Sequence, residues 1–375
     1  MAERDDEDRG ATELFVALTP ERVLDAVEAS GLRVTAACFP LNSYENRVYL
    51  VQLEDGGRVI AKLYRPGRWS SAQILEEHAL LAELWAAEIP VCRALPFPDG
   101  ETLKVAHGVP YALFEHRPGR PIGDLDDAML ARIGMIAARI HRVGESGRFV
   151  ARRRFSADAW VRRATAALRA GPLLPTGPLG RRWVEASERI ADAADARLTG
   201  LRTIRLHGDL HRGNLLLHDG VLQVLDLDDA VTGPAVQDLW LSLPGEPGER
   251  ERALRVLLAG YERFRPFDRR ELAALDVLPA MRRIHYAAWV SRRWDDPLFP
   301  RTFPHYAEPA FWEREVLELE GIARGLSPRP VATGGPEVAE DAAPASLEDD
   351  PYREELTNAD YFWDLDDDDD GSADK

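Results

Sequence analysis

The sequence predicts an α+β protein of two unequal lobes, a small antiparallel-sheet lobe with one helix followed by a larger, mostly helical lobe. Two observations predict this. Up to about residue 116 the chain reads as a hairpin, a helix and then further strands, a small unit of about 100 residues. From Asp124 onward helical spacing dominates, interrupted only by short strands around 207–229. The expected divisions are an acidic N-terminal tail over 1–17, a small lobe over 18–116, a helical lobe over 117–325 and a second acidic tail over 326–375. Arg117-Pro118-Gly119-Arg120-Pro121 is turn-rich and has the character of a hinge between the lobes.

Each element has a local reason. Thr19-Pro20-Glu21 reads as a helix start: a capping residue, a proline in the first turn, and an acid near the positive end of the dipole. That helix stops at Gly31. Arg47–Leu53 and Arg58–Tyr64 alternate β-branched and aromatic residues around Glu54-Asp55-Gly56-Gly57, which predicts a hairpin. Over 72–88, Ile74, Glu77, Leu80, Leu81 and Leu84 fall at helical spacing, and Pro90 ends the run. Strands are expected at Thr102–Ala106 and Val109–Glu115. Residues 124–143 form an amphipathic helix through Leu130, Ile133, Ile136, Ala137 and Ile140, and further helices are expected near 156–169 and 179–199. The remainder to about 325 reads as helical.

Composition excludes several classes. No apolar run approaches the roughly 18 to 20 residues that span a bilayer. The N-terminus MAERDDEDRG lacks the basic and apolar segments of a signal peptide, so the expected location is the cytoplasm. Cys38 and Cys92 have neither disulfide nor metal-ligand spacing. The net charge of -17 belongs to the ends. Residues 337–375 hold 16 acids against Arg353 and Lys375, whereas 11–336 balance 43 acids with 43 bases. This distribution argues against nucleic-acid or anionic-membrane binding. The second tail is too poor in apolar residues to offset the cost of ordering, so disorder is expected there. Tyr361-Phe362-Trp363 stands out within it as a possible docking element.

The strongest chemical signal is His207-Gly208-Asp209-Leu210-His211-Arg212-Gly213-Asn214, followed by Val224-Leu225-Asp226-Leu227-Asp228. Apolar strand residues flank each polar group, which sets the acids at the rim of a core. Phosphoryl transfer needs one carboxylate to accept a hydrogen bond from the attacking hydroxyl. It also needs a second carboxylate and an amide oxygen to hold metal ions on the phosphates. The spacing H-x-D-x4-N, then D at the end of the next strand, supplies that set. Asp209 is the expected base, Asn214 a metal ligand and Asp226 the main metal ligand, with Asp228 as a second metal-site acid. These hard oxygen donors suit magnesium.

These motifs resemble those of the aminoglycoside phosphotransferase and choline kinase superfamily, which shares the protein-kinase fold. Asn42–Tyr49, Tyr64–Trp69, Gln73–His78, Asp226–Asp229 and Gly233–Trp240 resemble more closely its branch of bacterial stress response kinases, which phosphorylate serine and threonine in proteins. The likeness spans roughly residues 18–325. It implies a two-lobed kinase-like fold, ATP as donor and Mg2+ as metal. It implies that Lys62 holds the α- and β-phosphates, with Glu77 as its partner and Glu76 ranked second. Ser43 falls in the loop that approaches the phosphates, although Asn42–Asn46 contains no glycine, unlike the G-x-G-x-x-G of protein kinases. Backbone groups near Glu115 and Arg117 align with the adenine-contacting hinge. Asp238 and His207 are assigned to supporting the catalytic loop.

Only a few residues separate Asp226 from the helix near Ala235, so no long activation segment is present. The resemblance implies a monomer acting on protein serine or threonine, itself included. A kinase of small alcohols such as an aminoglycoside or choline is the alternative enzyme. A non-catalytic nucleotide sensor is the alternative outside enzymes.

Overall fold

The computed structural model describes residues 15, 18–41 and 43–326. Asn42, most of the N-terminal tail and the acidic stretch with Tyr361-Phe362-Trp363 lie outside the described residues. Helix α1 (Pro20–Glu28) precedes a five-stranded antiparallel sheet of β1 (Val34–Leu41), β2 (Arg47–Leu53), β3 (Arg58–Leu63), β4 (Lys104–Ala106) and β5 (Val109–Glu115). The order across the sheet is β1-β2-β3-β5-β4. Helix α2 (Ser71–Ala86) interrupts the strands. It starts at a capping box in which Ser70 and Gln73 each bond the other's backbone N–H.

The alternation of β3 explains a buried lysine. Val59, Ala61 and Leu63 share a core with Val23, Ala26 and Val27 of α1. Successive strand residues point to opposite faces, so Ile60 and Lys62 face α2 and the interior cleft. On that side Ile74, Leu80, Leu81 and Leu84 join Ala112 and Phe114, and the same core continues into the larger lobe.

The larger lobe is built on α3 (Asp127–Glu145), α4 (Arg163–Ala170), α5 (Pro178–Leu198), α6 (Val236–Leu239), α7 (Pro247–Tyr261), α8 (Leu278–Arg292), α9 (Leu298–Thr302) and α10 (Pro309–Leu326). A π-helical turn at Asp158–Arg162 leads into α4. Short strands β6 (Arg120–Pro121), β8 (Leu215–His218) and β9 (Val221–Val224) form one small sheet, and β7 (Ile204–Leu206) pairs with β10 (Val231–Gly233). Among the described residues no helix is long and apolar enough to cross a membrane.

One strand, β1, was not legible in the sequence. It is an edge strand carrying Pro40, it lacks clean alternation, and no residue in it is fully buried.

A buried acid also braces the larger lobe. Glu271, 1% exposed, accepts the backbone N–H of Val236 at 2.8 Å. Burial pushes its carboxyl up to about 7 from an ordinary 4.5. Between those values the folded chain keeps a proton that the unfolded chain has lost. Stability therefore falls as pH rises from about 4.5 to about 7, by up to about 3 kcal/mol. Glu271→Gln keeps an acceptor without a charge. Its urea midpoint is expected to exceed the wild type's at pH 8 and to match it near pH 5. Equal pH dependence in both chains would refute this.

Candidate active site

Strand pairing brings the two polar loops together. Leu206 of β7 faces Val231 of β10, so the segments that follow β7 and precede β10 leave the ladder side by side. They touch at Gly208, whose φ is +90° and where a Cβ would lie 2.0 Å from the carbonyl oxygen of Asp229. No other residue type fits there without moving the second loop. The β8–β9 hairpin pairs Leu215 with Val224, and Leu225 N–H donates to the Asn214 carbonyl at 2.9 Å. Asn214 and Asp226 thus emerge at the same end of one hairpin. Asp226 has φ +51°, an uncommon conformation for a residue with a Cβ.

Lys62 stands at the centre. Its Nζ lies 3.3 Å from Glu77 Oε1, 3.1 Å from Asp226 Oδ1 and 3.1 Å from Asp228 Oδ1. Burial alone would favour loss of its proton, but Asp226, Asp228 and Glu77 outweigh that and hold it charged. Withdrawing an ammonium from water costs several kcal/mol, and the three carboxylates offset it. Glu77 and Glu76 do different work. Glu77 is 1% exposed and takes Lys62 on one oxygen and Arg152 on the other at 3.0 Å. Burial pushes its carboxyl up despite both bases. Glu76 instead accepts the backbone N–H groups of Val150, Ala151 and Arg152.

Asp209 lies a quarter open to solvent. Its Oδ1 accepts from Arg282 at 2.8 Å and its Oδ2 is 3.3 Å from His211 Nε2. Burial would raise this carboxyl, but Arg282 and His211 hold it well below the usual carboxylate range. It is therefore ionised and able to accept a proton at neutral pH. Asn214 donates from Nδ2 to the Asp209 carbonyl at 2.9 Å, which fixes the amide with its oxygen as the remaining donor to a cation. His207 donates from Nε2 to the Leu225 carbonyl at 2.8 Å and accepts Asp209 N–H at Nδ1, tying the two loops together. Asp238, fully buried on α6, accepts the N–H groups of His207 and Gly208 at 2.9 and 2.8 Å, and His141 Nε2 at 3.0 Å.

An open cleft of about 760 Å³ runs between sheet and helical lobe. Ser43, Val48, Ile60, Lys62, Glu77, Leu81, Phe114, Arg117, Leu225 and Asp226 are among its walls. It joins an apolar slot to a charged end, as a nucleotide requires. Ser43 Oγ accepts Asn46 N–H at 3.3 Å. The loop after it is anchored by Glu45, which pairs with Arg68 at 2.8 Å and also with Arg293 on the far lobe.

Two expected residues stand differently. Glu115 does not line the cleft: its N–H already donates to the Arg93 carbonyl, and its carboxylate pairs with Arg93 and Arg117. The neighbours Phe114, His116 and Arg117 line the slot instead. Asp228 is 3% exposed, with Lys62 on one oxygen and Arg68 and Trp69 on the other. Burial would raise its carboxyl, but Arg68, Lys62 and Arg152 draw it far below the ordinary value. Asp226, rather than Asp228, is among the residues that line the cleft.

Arg152, Arg68 and Arg282 were missed in the sequence. Arg152 is buried, and it donates to the carbonyls of Asp228 and Ala230 as well as to Glu77. Nothing in the run Arg152-Arg153-Arg154 distinguishes the buried member from the others. Arg68 lay inside the quoted block Tyr64–Trp69 without a role.

Among the described residues, no three His, Cys, Asp or Glu side chains form a metal cage. Asp226 and Asn214 would leave most of a shell to phosphate oxygens and water, a division that suits a magnesium ion held with a triphosphate.

Residues 38–275 match the phosphotransferase enzyme family. The chain belongs to that family. Among curated members, stress response kinase A of Escherichia coli K12 is 36% identical over 318 residues, covering 84% of this chain and 96% of the relative. Salmonella typhimurium LT2 has a relative named serine/threonine protein kinase RdoA, 38% identical over 303 residues, covering 80% of this chain and 92% of the relative. Of solved structures, amicoumacin kinase hAmiN in complex with AMP-PNP, Ca2+ and Ami aligns with a TM-score of 0.64 at 19% identity, covering 79% of this chain and 92% of that one. Choline kinase LicA of Streptococcus pneumoniae aligns at 0.53 and 15% identity, covering 80% and 99%. These likenesses show a kinase fold of the aminoglycoside phosphotransferase and choline kinase type. Family membership carries with it an ATP donor and a divalent metal.

Proposed function

We propose that this protein transfers the γ-phosphoryl group of ATP to serine or threonine hydroxyls of proteins, with magnesium as the metal. The observation that carries the transferase reading is Lys62 held charged within 3.1 Å of both Asp226 and Asp228, at the end of a cleft that also reaches Arg117. In this reading Lys62 binds the α- and β-phosphates as a point charge oriented by Glu77. Ser43 and the backbone of its loop cover the phosphates, and the backbone near Phe114–Arg117 receives adenine. Asp226 and Asn214 hold magnesium, which when bound neutralises phosphate charge. Asp209 accepts the proton of the attacking hydroxyl, while Asp238 and His207 keep its loop in place. The protein acceptor is supported by the names and identities of the curated relatives, since the solved small-molecule kinases share only the fold.

The test is incubation with labelled ATP and magnesium against a panel of serine and threonine peptides, whole proteins, amino alcohols and aminoglycosides. Label on serine or threonine is expected. Label on small alcohols alone would sink the protein acceptor. Nucleotide binding without transfer to anything, in magnesium or manganese, would sink the transferase reading itself.

A further inference from the structure

On α8, Arg282, His285, Trp289 and Arg292 follow at i, i+3, i+7 and i+10 and so share one face. Arg282 touches Asp209 at 2.8 Å. At about 1.5 Å of rise per residue, Arg292 lies roughly 15 Å further along. Arg68, Arg153 and Arg293 crowd the same face, and burial together with the neighbouring guanidinium groups holds Arg153, Arg292 and Arg293 below the ordinary arginine value. Most of these arginines are matched. Arg68 pairs with Asp228, Asp229 and Glu45, and Arg293 pairs with Glu45. Arg153 and Arg292 are not. Both are exposed, and neither guanidinium has a hydrogen bond or ion pair among the described residues, although Arg153 lies over the Trp69 ring at 5.1 Å.

The local potential is accordingly positive. His285, stacked on Trp160, is pushed down to about 3 by burial and by Arg292, Arg153, Arg293 and Arg282. Its Nδ1 is buried with no hydrogen-bond partner. A wall of this kind beside the base disfavours a cationic acceptor and selects an anionic one.

The chain carries such an anion itself. Residues 337–375 hold 16 acids against two bases, and their serine and threonine hydroxyls are Ser346, Thr357 and Ser372. Ser346 lies twenty steps along the chain beyond Leu326, a reach of up to roughly 65 Å. That exceeds the width of a domain this size, about 50 Å. An extended peptide advances about 3.3 Å per residue, so the 15 Å stripe spans about four to five residues. Within that span Ser346 is followed by Glu348, Asp349 and Asp350, Thr357 is preceded by Glu354 and Glu355, and Ser372 is preceded by Asp368–Asp370.

We propose that the Arg282–Arg292 face with Arg153 is a docking site for an acidic peptide, and that its occupant is the chain's own segment 337–375, presented so that one of its hydroxyls reaches Asp209. The inference rests on the phosphotransferase reading. The oxygen of Ser346, Thr357 or Ser372 bonds to the γ-phosphorus, the bond from that phosphorus to the β–γ bridging oxygen breaks, ADP leaves, and the hydroxyl proton passes to Asp209.

Two readouts on the full-length chain test it separately. Without ATP, phenylglyoxal modification of Arg153 and Arg292, located by mass spectrometry, is expected to be about tenfold slower at low salt than at about 0.5 M salt, where charge attraction is screened. The difference should vanish when Glu348, Asp349, Asp350, Glu354, Glu355 and Asp366–Asp370 are changed to Gln or Asn. Equal modification with and without those charges overturns the docking, whatever the enzyme does. With ATP, label should appear on Ser346, Thr357 or Ser372 at a rate independent of protein concentration. It should drop about tenfold in the double variant Arg153→Ser, Arg292→Ser, and recover largely with lysine at both positions. Tail label unchanged in the double variant overturns the inference while leaving the kinase reading intact. Absence of transfer to every acceptor, with the footprint present, overturns the kinase reading and the acceptor role but not the docking.

Discussion

Asp209→Ala is expected to bind ATP as the wild type does and to transfer phosphate about 10² to 10⁴ times more slowly, the range for loss of a positioned proton acceptor. The separation of the two effects follows from geometry. The carboxylates that hold Lys62 come from α2 and from the loop after β9, whereas Asp209 comes from the loop after β7 and contacts Arg282 and His211. Removing it leaves the Lys62 cluster intact. Asp209→Asn is the sharper control, because the amide keeps the shape and an acceptor for Arg282 but cannot take a proton. It should be as slow as the alanine variant. Calorimetry with ATP and magnesium, beside single-turnover transfer, measures both quantities. Transfer within threefold of wild type in the Asn variant would remove Asp209 from the role of base.

The site was legible where chemistry leaves a spaced signature. The H-x-D-x4-N run and the acid ending the next strand were read from the chain alone; in the structure Asn214 bonds the Asp209 carbonyl and the N–H of Leu225, next to Asp226, which lines the cleft. Glu77 was distinguished from Glu76 by helical spacing: it shares a face with Leu80, Leu81 and Leu84, and the structure pairs it with Lys62. The cations that set the acids' ionisation were not legible. Arg68, Arg152 and Arg282 come from three segments distant in sequence, and an arginine carries no local pattern that tells a buried partner from a solvated one. The surroundings of Asp228 were hidden for the same reason. Its spacing suggested a metal ligand, and the structure pairs it with Lys62, which the sequence offered, and with Arg68, whose role it did not. Boundaries followed similar logic. Val109–Glu115, buried through most of its length, was placed to the residue, while the edge strand Val34–Leu41 was missed.

Asp238→Ala is expected to cost about 3–5 kcal/mol of stability and, in whatever folds, to slow transfer as well. Asp238 is 0% exposed, and its two oxygens take three donors: the backbone N–H groups of His207 and Gly208, and His141 Nε2. His141 accepts at Nδ1 from the Tyr261 hydroxyl, which is also bonded by Arg265 at 2.6 Å, and Arg265 pairs with Glu145. The chain of contacts ties α3 and α7 to the first residues of the catalytic loop. Alanine leaves three buried donors without their acceptor. Displacement of Asp209 by even about 1 Å is worth on the order of 10² in rate. Asp238→Asn keeps one acceptor oxygen and turns the other position into a donor facing a donor, so an intermediate loss is expected. Urea unfolding gives the stability term, and kcat measured well below the melting temperature gives the positioning term. A loss under about 1 kcal/mol in the alanine variant, in the range of an ordinary surface change, would show that the loop is held by something other than this carboxylate.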